Sequence, residues 1–156
     1  MSDSESGLIV VGWREWASLP ELGIKRIKAK IDTGARTSAL HAFHLEPYQR
    51  DGREWVRFKI HPKQRRTDVE AVCEAPVSDR RVVSDSGGHR EERYVIETAV
   101  ELPGLCWRME VTLTSRDDMR FRMLIGRTAL KGRMLIDPSR SYLTRRPRRT
   151  QAGEAT

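Results

Sequence analysis

Two cysteines, Cys73 and Cys106, are all the thiol chemistry that this chain of 156 residues carries. They stand far apart in strand-like segments, so buried, reduced thiols are expected in place of a disulfide framework or a cysteine zinc cage. Histidine is also scarce, at His41, His44, His61 and His89. None belongs to a His-Glu-x-x-His helix, and His41 and His44, three apart, face opposite ways on a strand, so no metal is expected. The chain has no Gly-x-x-x-x-Gly-Lys-Ser/Thr loop, which removes the usual phosphate cradle, and no cofactor is expected. No apolar run approaches the roughly 18 residues a membrane helix needs, and Met1-Ser-Asp-Ser-Glu-Ser-Gly7 has neither the basic start nor the apolar stretch of a secretion signal. The expected location is the cytoplasm, with no membrane partner. No internal repeat at a fixed period is present.

Acid is outnumbered as well, with 22 Asp and Glu against 29 Lys and Arg, a net charge of +7. Of the basic residues 23 are arginine. A guanidinium grips carboxylate as readily as phosphate, so acidic peptide and nucleic acid both stay open as partners on charge alone. At 38% apolar residues and this length the chain builds one modest core and one domain. Residues 1–7 read as a disordered start, 8–143 as the domain and 144–156, headed by Arg145-Arg-Pro-Arg-Arg149, as a basic disordered tail that has no apolar area to bury.

Within the domain, residues 26–31 alternate strictly, with Ile27, Ala29 and Ile31 on one face and Arg26, Lys28 and Lys30 on the other, as a half-buried strand does. Further short strands are expected around 38–45, 54–61, 68–75, 80–84, 91–100 and 107–114, an antiparallel sandwich or small barrel. Residues 13–23, with two Trp, a Pro and a closing Gly, are expected to form a short helical turn and bend. Ser84-Asp-Ser-Gly-Gly-His89 reads as the tip of a long hairpin, and a short helix is expected near 127–131, ending at Gly132.

The chemistry concentrates at Asp32-Thr33-Gly34-Ala35, at the end of the alternating strand. By itself the triplet suits a strand-to-turn junction. Far downstream, Met123-Leu-Ile-Gly126 leads into the short helix, and two apolar residues with a Gly allow a strand to pack closely behind the Asp-bearing loop. Together, Asp32 to Ala35 and Leu124 to Arg127 resemble the retropepsin-like aspartic peptidases. More narrowly, Gly12-Trp-Arg-Glu-Trp16, the stretch from Lys28 to Ser38, Ser86-Gly-Gly-His-Arg-Glu91 and Ile125-Gly-Arg127 look like the bacterial and archaeal branch. That branch is often labelled "ATP-dependent zinc protease" and is found with ATP-grasp amino-acid ligases. The resemblance spans roughly 8–143.

It implies an all-β, retropepsin-like closed barrel with a flap hairpin and one short C-terminal helix. It also implies an aspartic endopeptidase. Two facing carboxylates cannot both ionise, so the pair holds one proton; one member activates a water while the other donates to the carbonyl oxygen. With one full Asp-Thr-Gly per chain, the second aspartate comes from another copy, in a two-fold homodimer. Asp32, Thr33 and Gly34 are then catalytic, with the Thr33 hydroxyl fixing the loop across the axis and Gly34 permitting close approach. Ala35, Arg36, Gly87, Gly88, His89 and Arg90 are expected to bind substrate, and Ile125, Gly126 and Arg127 to support the site. Asp85-Ser86-Gly87 is rejected as the second triplet because it sits 53 positions after Asp32, has no apolar-apolar-Gly partner and falls at the hairpin tip.

One departure stands out. Retroviral members carry an acid directly after Asp-Thr-Gly-Ala that pairs with the later Arg; here that position is Arg36, and Arg127 loses its partner. An added guanidinium beside the dyad, with His89 and Arg90 above it, implies a preference for acidic, glutamate-rich peptide. On this reading the partners are a second copy, a peptide substrate and an ATP-grasp ligase, and nucleic acid is not one of them. The rivals are a non-catalytic, arginine-rich binding module for acidic peptide or RNA, and a metal-dependent peptidase.

Overall fold

The computed structural model describes residues 8–63, 68–84, 87–115 and 120–144. The expected N-terminal segment, Asp85 and Ser86 of the hairpin tip, and the expected tail beyond Thr144 lie outside the described residues.

Eleven strands and one α-helical turn make up the described chain: β1 (Ile9–Gly12), β2 (Arg14–Leu19), β3 (Ile24–Ile31), β4 (Ser38–His41), β5 (Phe43–Arg50), β6 (Arg53–Ile60), β7 (Ala71–Ser84), β8 (Arg90–Leu102), β9 (Leu105–Thr114), β10 (Met123–Ile125), α1 (Arg127–Leu130) and β11 (Met134–Asp137). Nine of the strands form one sheet in the order β2-β3-β10-β4-β9-β8-β7-β6-β5, and a further pairing of β2 with β8, at Ser18 and Glu101, closes six of them into a ring. The fold is therefore the expected all-β barrel, closed without a free edge in its six-stranded part. Its interior holds Leu19, Ile27, Leu40, Ile96, Leu113 and Met123, all essentially without solvent contact. Each such side chain contributes about 1.5–3 kcal/mol by leaving water.

β10 decides where the site lies. It is three residues long and slots between β3 and β4, parallel to the first and antiparallel to the second, with Ile125 beside Ile31 and Leu124 beside Ala39. The alternation read for residues 26–31 holds: Ile27, Ala29 and Ile31 are buried and Lys30 is exposed.

Several expectations are corrected. Residues 13–23 are mostly strand, because Glu15, Ala17 and Leu19 all point inward from β2; a 3-10 turn covers Pro20–Leu22, and Gly23 closes it at φ +74. The two strands expected at 68–75 and 80–84 are one 14-residue strand that changes partner midway. Up to Pro76 it pairs with β6, and from Val77 onward with β8. Residues 38–45 are instead split between β4 and β5 around the buried Ala42. Cys73 is buried as expected and its thiol is pushed up to about 11 by desolvation. Cys106, in contrast, is exposed. β1 and β11 pair in parallel outside the main sheet, in a register that sets Val10 beside Leu135, and both are more than half exposed.

Candidate active site

Asp32 is the first residue after β3, and hydrogen bonds from both sides of the fold fix its backbone. Ile31 N–H donates to the Trp13 carbonyl at 2.8 Å, and Asp32 N–H to the Ile125 carbonyl at 2.9 Å. The loop then turns on itself as Ala35 N–H donates to the Asp32 carbonyl at 3.2 Å. Within that turn Gly34 N–H donates to Asp32 Oδ1 at 3.0 Å, which orients the half-buried carboxylate toward solvent. An Asp accepting a hydrogen bond from the backbone two residues on is the local device that makes this residue type suit a tight turn.

The residues after β10 hold the far side of the loop. Arg127 N–H donates to the Ala35 carbonyl at 2.8 Å, and Thr128 reaches the Arg36 carbonyl through both its N–H, at 3.1 Å, and its hydroxyl, at 3.0 Å. Arg127 Nη1 donates to the Thr33 carbonyl at 3.1 Å. This bond takes the place of the acidic partner that Arg36 displaces: the guanidinium grips main-chain oxygen, so its anchoring role survives the loss of the carboxylate. Gly126 has no room for a side chain, since a Cβ there would lie 2.6 Å from both the carbonyl carbon and the oxygen of Thr37. The missing methyl is what lets α1 dock against the loop.

Sequence reasoning gave Ser38, the last residue of the family-like stretch from Lys28, no role. Its buried hydroxyl accepts from Gly126 N–H at 3.0 Å, and its carbonyl accepts from the Thr112 hydroxyl at 3.2 Å. Arg93 Nη1 reaches that same hydroxyl at 3.4 Å and pairs with Glu91 at 2.7 Å, while the Thr114 hydroxyl donates to Glu91 at 3.2 Å. A continuous polar chain thus runs from the base of the β7–β8 hairpin to the back of the Asp32 loop. Its signal in the sequence is faint, an alternation of Thr in β9 with apolar residues. Glu15 was missed too. It is fully buried and accepts from the N–H groups of Gly12, Leu143 and Thr144 and from the Thr144 hydroxyl, at 2.6, 2.9, 3.1 and 2.8 Å.

Hydrogen bonds therefore bring Asp32, Thr33, Gly34, Ala35 and Arg36 together with Ile125, Gly126 and Arg127. Gly87, Gly88, His89 and Arg90 are exposed and ride separately at the end of the β7–β8 hairpin, where Gly88 takes φ +84 and Arg90 faces Ser84. The pairing of β8 with β9 stops at Val95, so residues 90–94 and their partners on β7 project as a two-stranded ribbon. Thr33 is exposed, and among the described residues its hydroxyl meets no partner within the chain; nor does a second described carboxylate hydrogen-bond to Asp32.

The zinc in the family label finds no fit. His41 is buried against the rings of Phe43 and His61, His44 points to solvent at φ +53, and among the described residues no group of three or more His, Cys, Asp or Glu is placed to hold a metal ion. The described helices include none long and apolar enough to cross a membrane.

Known proteins resemble this chain. Residues 10–147 match a family model described as RimB-like, retropepsin-like aspartic endopeptidase RimB. A probable alpha-L-glutamate ligase of Shewanella pealeana is 44% identical over 142 residues, which is 91% of this chain and 30% of that protein. One of Desulfotalea psychrophila is 48% identical over 132 residues, 83% of this chain and 28% of that protein. The chain thus spans less than a third of the length of these curated relatives. A crystal structure of a Legionella pneumophila protein of unknown function superposes with a TM-score of 0.73 at 23% identity, over 87% of this chain and 98% of that one, and bears on the fold alone. With a barrel closed as the resemblance implied, a short strand wedged behind an Asp-Thr-Gly loop and a family match over residues 10–147, the chain belongs to the RimB-like family of retropepsin-like aspartic endopeptidases.

Proposed function

We propose that this protein is an aspartic endopeptidase that works as a homodimer and cuts acidic, glutamate-rich peptide. The observation that carries the reading is the Asp32 loop itself: a solvent-facing carboxylate, oriented by Gly34 N–H and immobilised from behind by β10, Gly126 and Arg127. Such preorganisation serves proton transfer, in which a carboxylate must sit within hydrogen-bond reach of a water it activates. A lone acid does not complete the chemistry. Two copies bring two Asp32 carboxylates face to face; the pair retains one proton, the ionised member takes a proton from the attacking water and the other donates to the scissile carbonyl.

Two features support the dimer. Among the described residues the Thr33 hydroxyl meets no partner, so it can meet its twin, and Val10 with Leu135 offers an exposed apolar pair on a strand pair outside the barrel. The β7–β8 ribbon serves as a flap that closes over an extended substrate, with Gly87 and Gly88 giving its tip freedom and His89 and Arg90 facing the ligand. Arg36, exposed and without an ion pair among the described residues, supplies the cationic edge that favours glutamate. The names of the relatives agree with a substrate made by an amino-acid ligase, and the chain's link to ATP-grasp chemistry rests on them.

The test is hydrolysis of an oligo-α-L-glutamate peptide by the full chain and by Asp32→Asn, followed by mass spectrometry, with sedimentation to set the oligomeric state. The expected result is cleavage by a dimer and its loss in the variant with the fold intact. Cleavage that survives in Asp32→Asn, or that proceeds in a strictly monomeric species, overturns the reading. Undiminished peptide binding with no cleavage by either protein turns it into a substrate-holding module.

A further inference from the structure

The outer face of β2 and β3 carries a ladder of stacked rings and cations that the candidate site does not use. The Arg26 guanidinium lies 4.0 Å from the centre of the Trp16 ring, Trp16 stacks on Tyr142 at 5.8 Å, Arg14 lies 5.1 Å from Tyr142, and the same guanidinium covers Trp13 at 4.5 Å. Lys28 adds a second cation over Trp16 at 5.3 Å, and Lys30 stands opposite Arg14 in the strand register. None of these four cations forms an ion pair with a described carboxylate, whereas Arg50, Arg80, Arg81 and Arg108 elsewhere on the surface all do. Beside Trp16 and Arg26 runs an open groove of about 710 Å³ whose lining also takes in Lys25 and Glu101.

The geometry points to an exosite for acidic polypeptide on this face. Two arguments select that ligand. Arg26, Lys28 and Lys30 occupy alternate positions of one strand, so their charges recur about every 6.5 Å, the spacing at which an extended peptide presents the side chains of one of its own faces. A chain of glutamates laid along β3 therefore meets cation after cation in register. A guanidinium held over a ring can still grip a carboxylate through its N–H edge, the planar match that lysine lacks; no described hydrogen bond engages the Arg26 edge, whereas Arg14 Nε donates to the Ser141 hydroxyl at 3.1 Å and keeps its other N–H groups. Single-stranded nucleic acid needs open ring faces on which bases stack. Here the rings of Trp13, Trp16 and Tyr142 already hold a cation or another ring.

Position adds to the argument. Lys30 precedes Asp32 by two residues, and Trp13 accepts the Ile31 N–H, so the ladder starts where the candidate loop begins and runs away from it along the barrel wall. A long acidic chain held here has its end delivered to the loop, and a short one gains nothing. Glu15 clamps Leu143 and Thr144 and so keeps Tyr142 in the stack. The proposal takes its ligand chemistry from the peptidase reading, but its test measures binding.

In an Asp32→Asn background, anisotropy of a fluorescein-labelled decaglutamate reports affinity for the full chain and for the further variant R26Q/K28Q/K30Q. Exposed ion pairs are each worth about two- to fivefold in affinity, so the triple change is expected to weaken binding about tenfold or more, and rising salt to erase the difference. The equal-charge control R53Q/K59Q/K63Q, on and beyond β6, is expected to leave affinity within about twofold, and thermal melts establish that both variants fold. In the Asp32-containing chain the β3 variant is expected to slow cleavage of decaglutamate while sparing a triglutamate. Equal losses in the two triple variants overturn the proposal, as does a β3-face variant that binds normally. Tighter binding of an oligouridylate of matched charge, lost with the same three substitutions, reassigns the face to RNA. Binding that depends on the β3 face without any cleavage leaves the exosite standing and removes the peptidase.

Discussion

Replacing Gly126 by alanine and, separately, Gly34 by alanine distinguishes what holds the Asp32 loop from what the loop does. At Gly126 the new Cβ lies 2.6 Å from two backbone atoms of Thr37 and 2.9 Å from the Ala35 carbonyl oxygen. Ordinary contact begins at 3.4 Å, so main chain must retreat by about 0.8 Å, and nothing nearby is the flexible end of a side chain. Overpacking of this kind costs about 1–3 kcal/mol. The retreat also stretches the bonds from Arg127 and Thr128 to the Ala35 and Arg36 carbonyls, each worth about 0.5–1.5 kcal/mol. The total of about 2–6 kcal/mol corresponds to a melting temperature lower by about 5–20 °C for a domain of this size. At Gly34 the nearest atom to a Cβ is Asp32 Oδ1, at 3.3 Å, and the backbone is not left-handed there. That variant is expected to melt within about 3 °C of the parent, since a small clash is offset by the stiffer unfolded chain, while losing hydrolysis because the carboxylate is pushed aside. Calorimetry of both proteins beside the peptide assay checks this. Equal melting temperatures for the two variants refute the idea that α1 and β10 brace the loop through a missing methyl.

Glu15→Ala removes four hydrogen bonds from a buried carboxylate and is expected to cost about 3–5 kcal/mol in urea unfolding and to expose the chain near Leu143 to proteases; an unchanged midpoint with an uncut chain argues that the clamp carries no stability. The two thiols should separate cleanly under a disulfide reagent at pH 8. Cys106 reacts at once, and Cys73, whose thiol burial holds protonated up to about 11, reacts at the rate of unfolding. The raised value also fixes a sign. Unfolded Cys73 ionises from about 9 upward while the folded thiol does not, so its contribution to stability is complete below pH 9 and is lost as pH climbs toward 11. Melting temperatures that stay level across that window, in a Cys106→Ser background, contradict it.

Much of the barrel could be read from the sequence because local pattern and tertiary demand agree there. The strict alternation of residues 26–31 is β3, and the apolar pair before Gly126 is the wedge behind Asp32. Where the reading failed, the deciding partner lies far along the chain. Across residues 13–23 the two Trp, the Pro and the closing Gly signal a helical turn and bend, but most of the stretch forms strand β2, and what makes Glu15 tolerable inside it includes donors 128 and 129 residues away. Residues 68–84 read as two strands, 68–75 and 80–84; in the fold Ala71–Ser84 is one strand, and Pro76 sits where it exchanges β6 for β8. β1 and β11 find each other from opposite ends of the domain, a pairing no window of sequence contains. At the site, Asp32 and Arg127 stood out by motif; Ser38 closes the family-like stretch from Lys28 without a role being read for it, and Thr112 carries no motif, since both matter through the atoms they reach.

The guanidinium that steadies the Thr33 carbonyl comes from a residue 94 positions downstream. The Asp32 loop therefore gains this anchor only after synthesis has passed Arg127. On the proposed peptidase reading, a chain that stops short of Arg127 carries an unbraced Asp32 and is expected not to hydrolyse peptide.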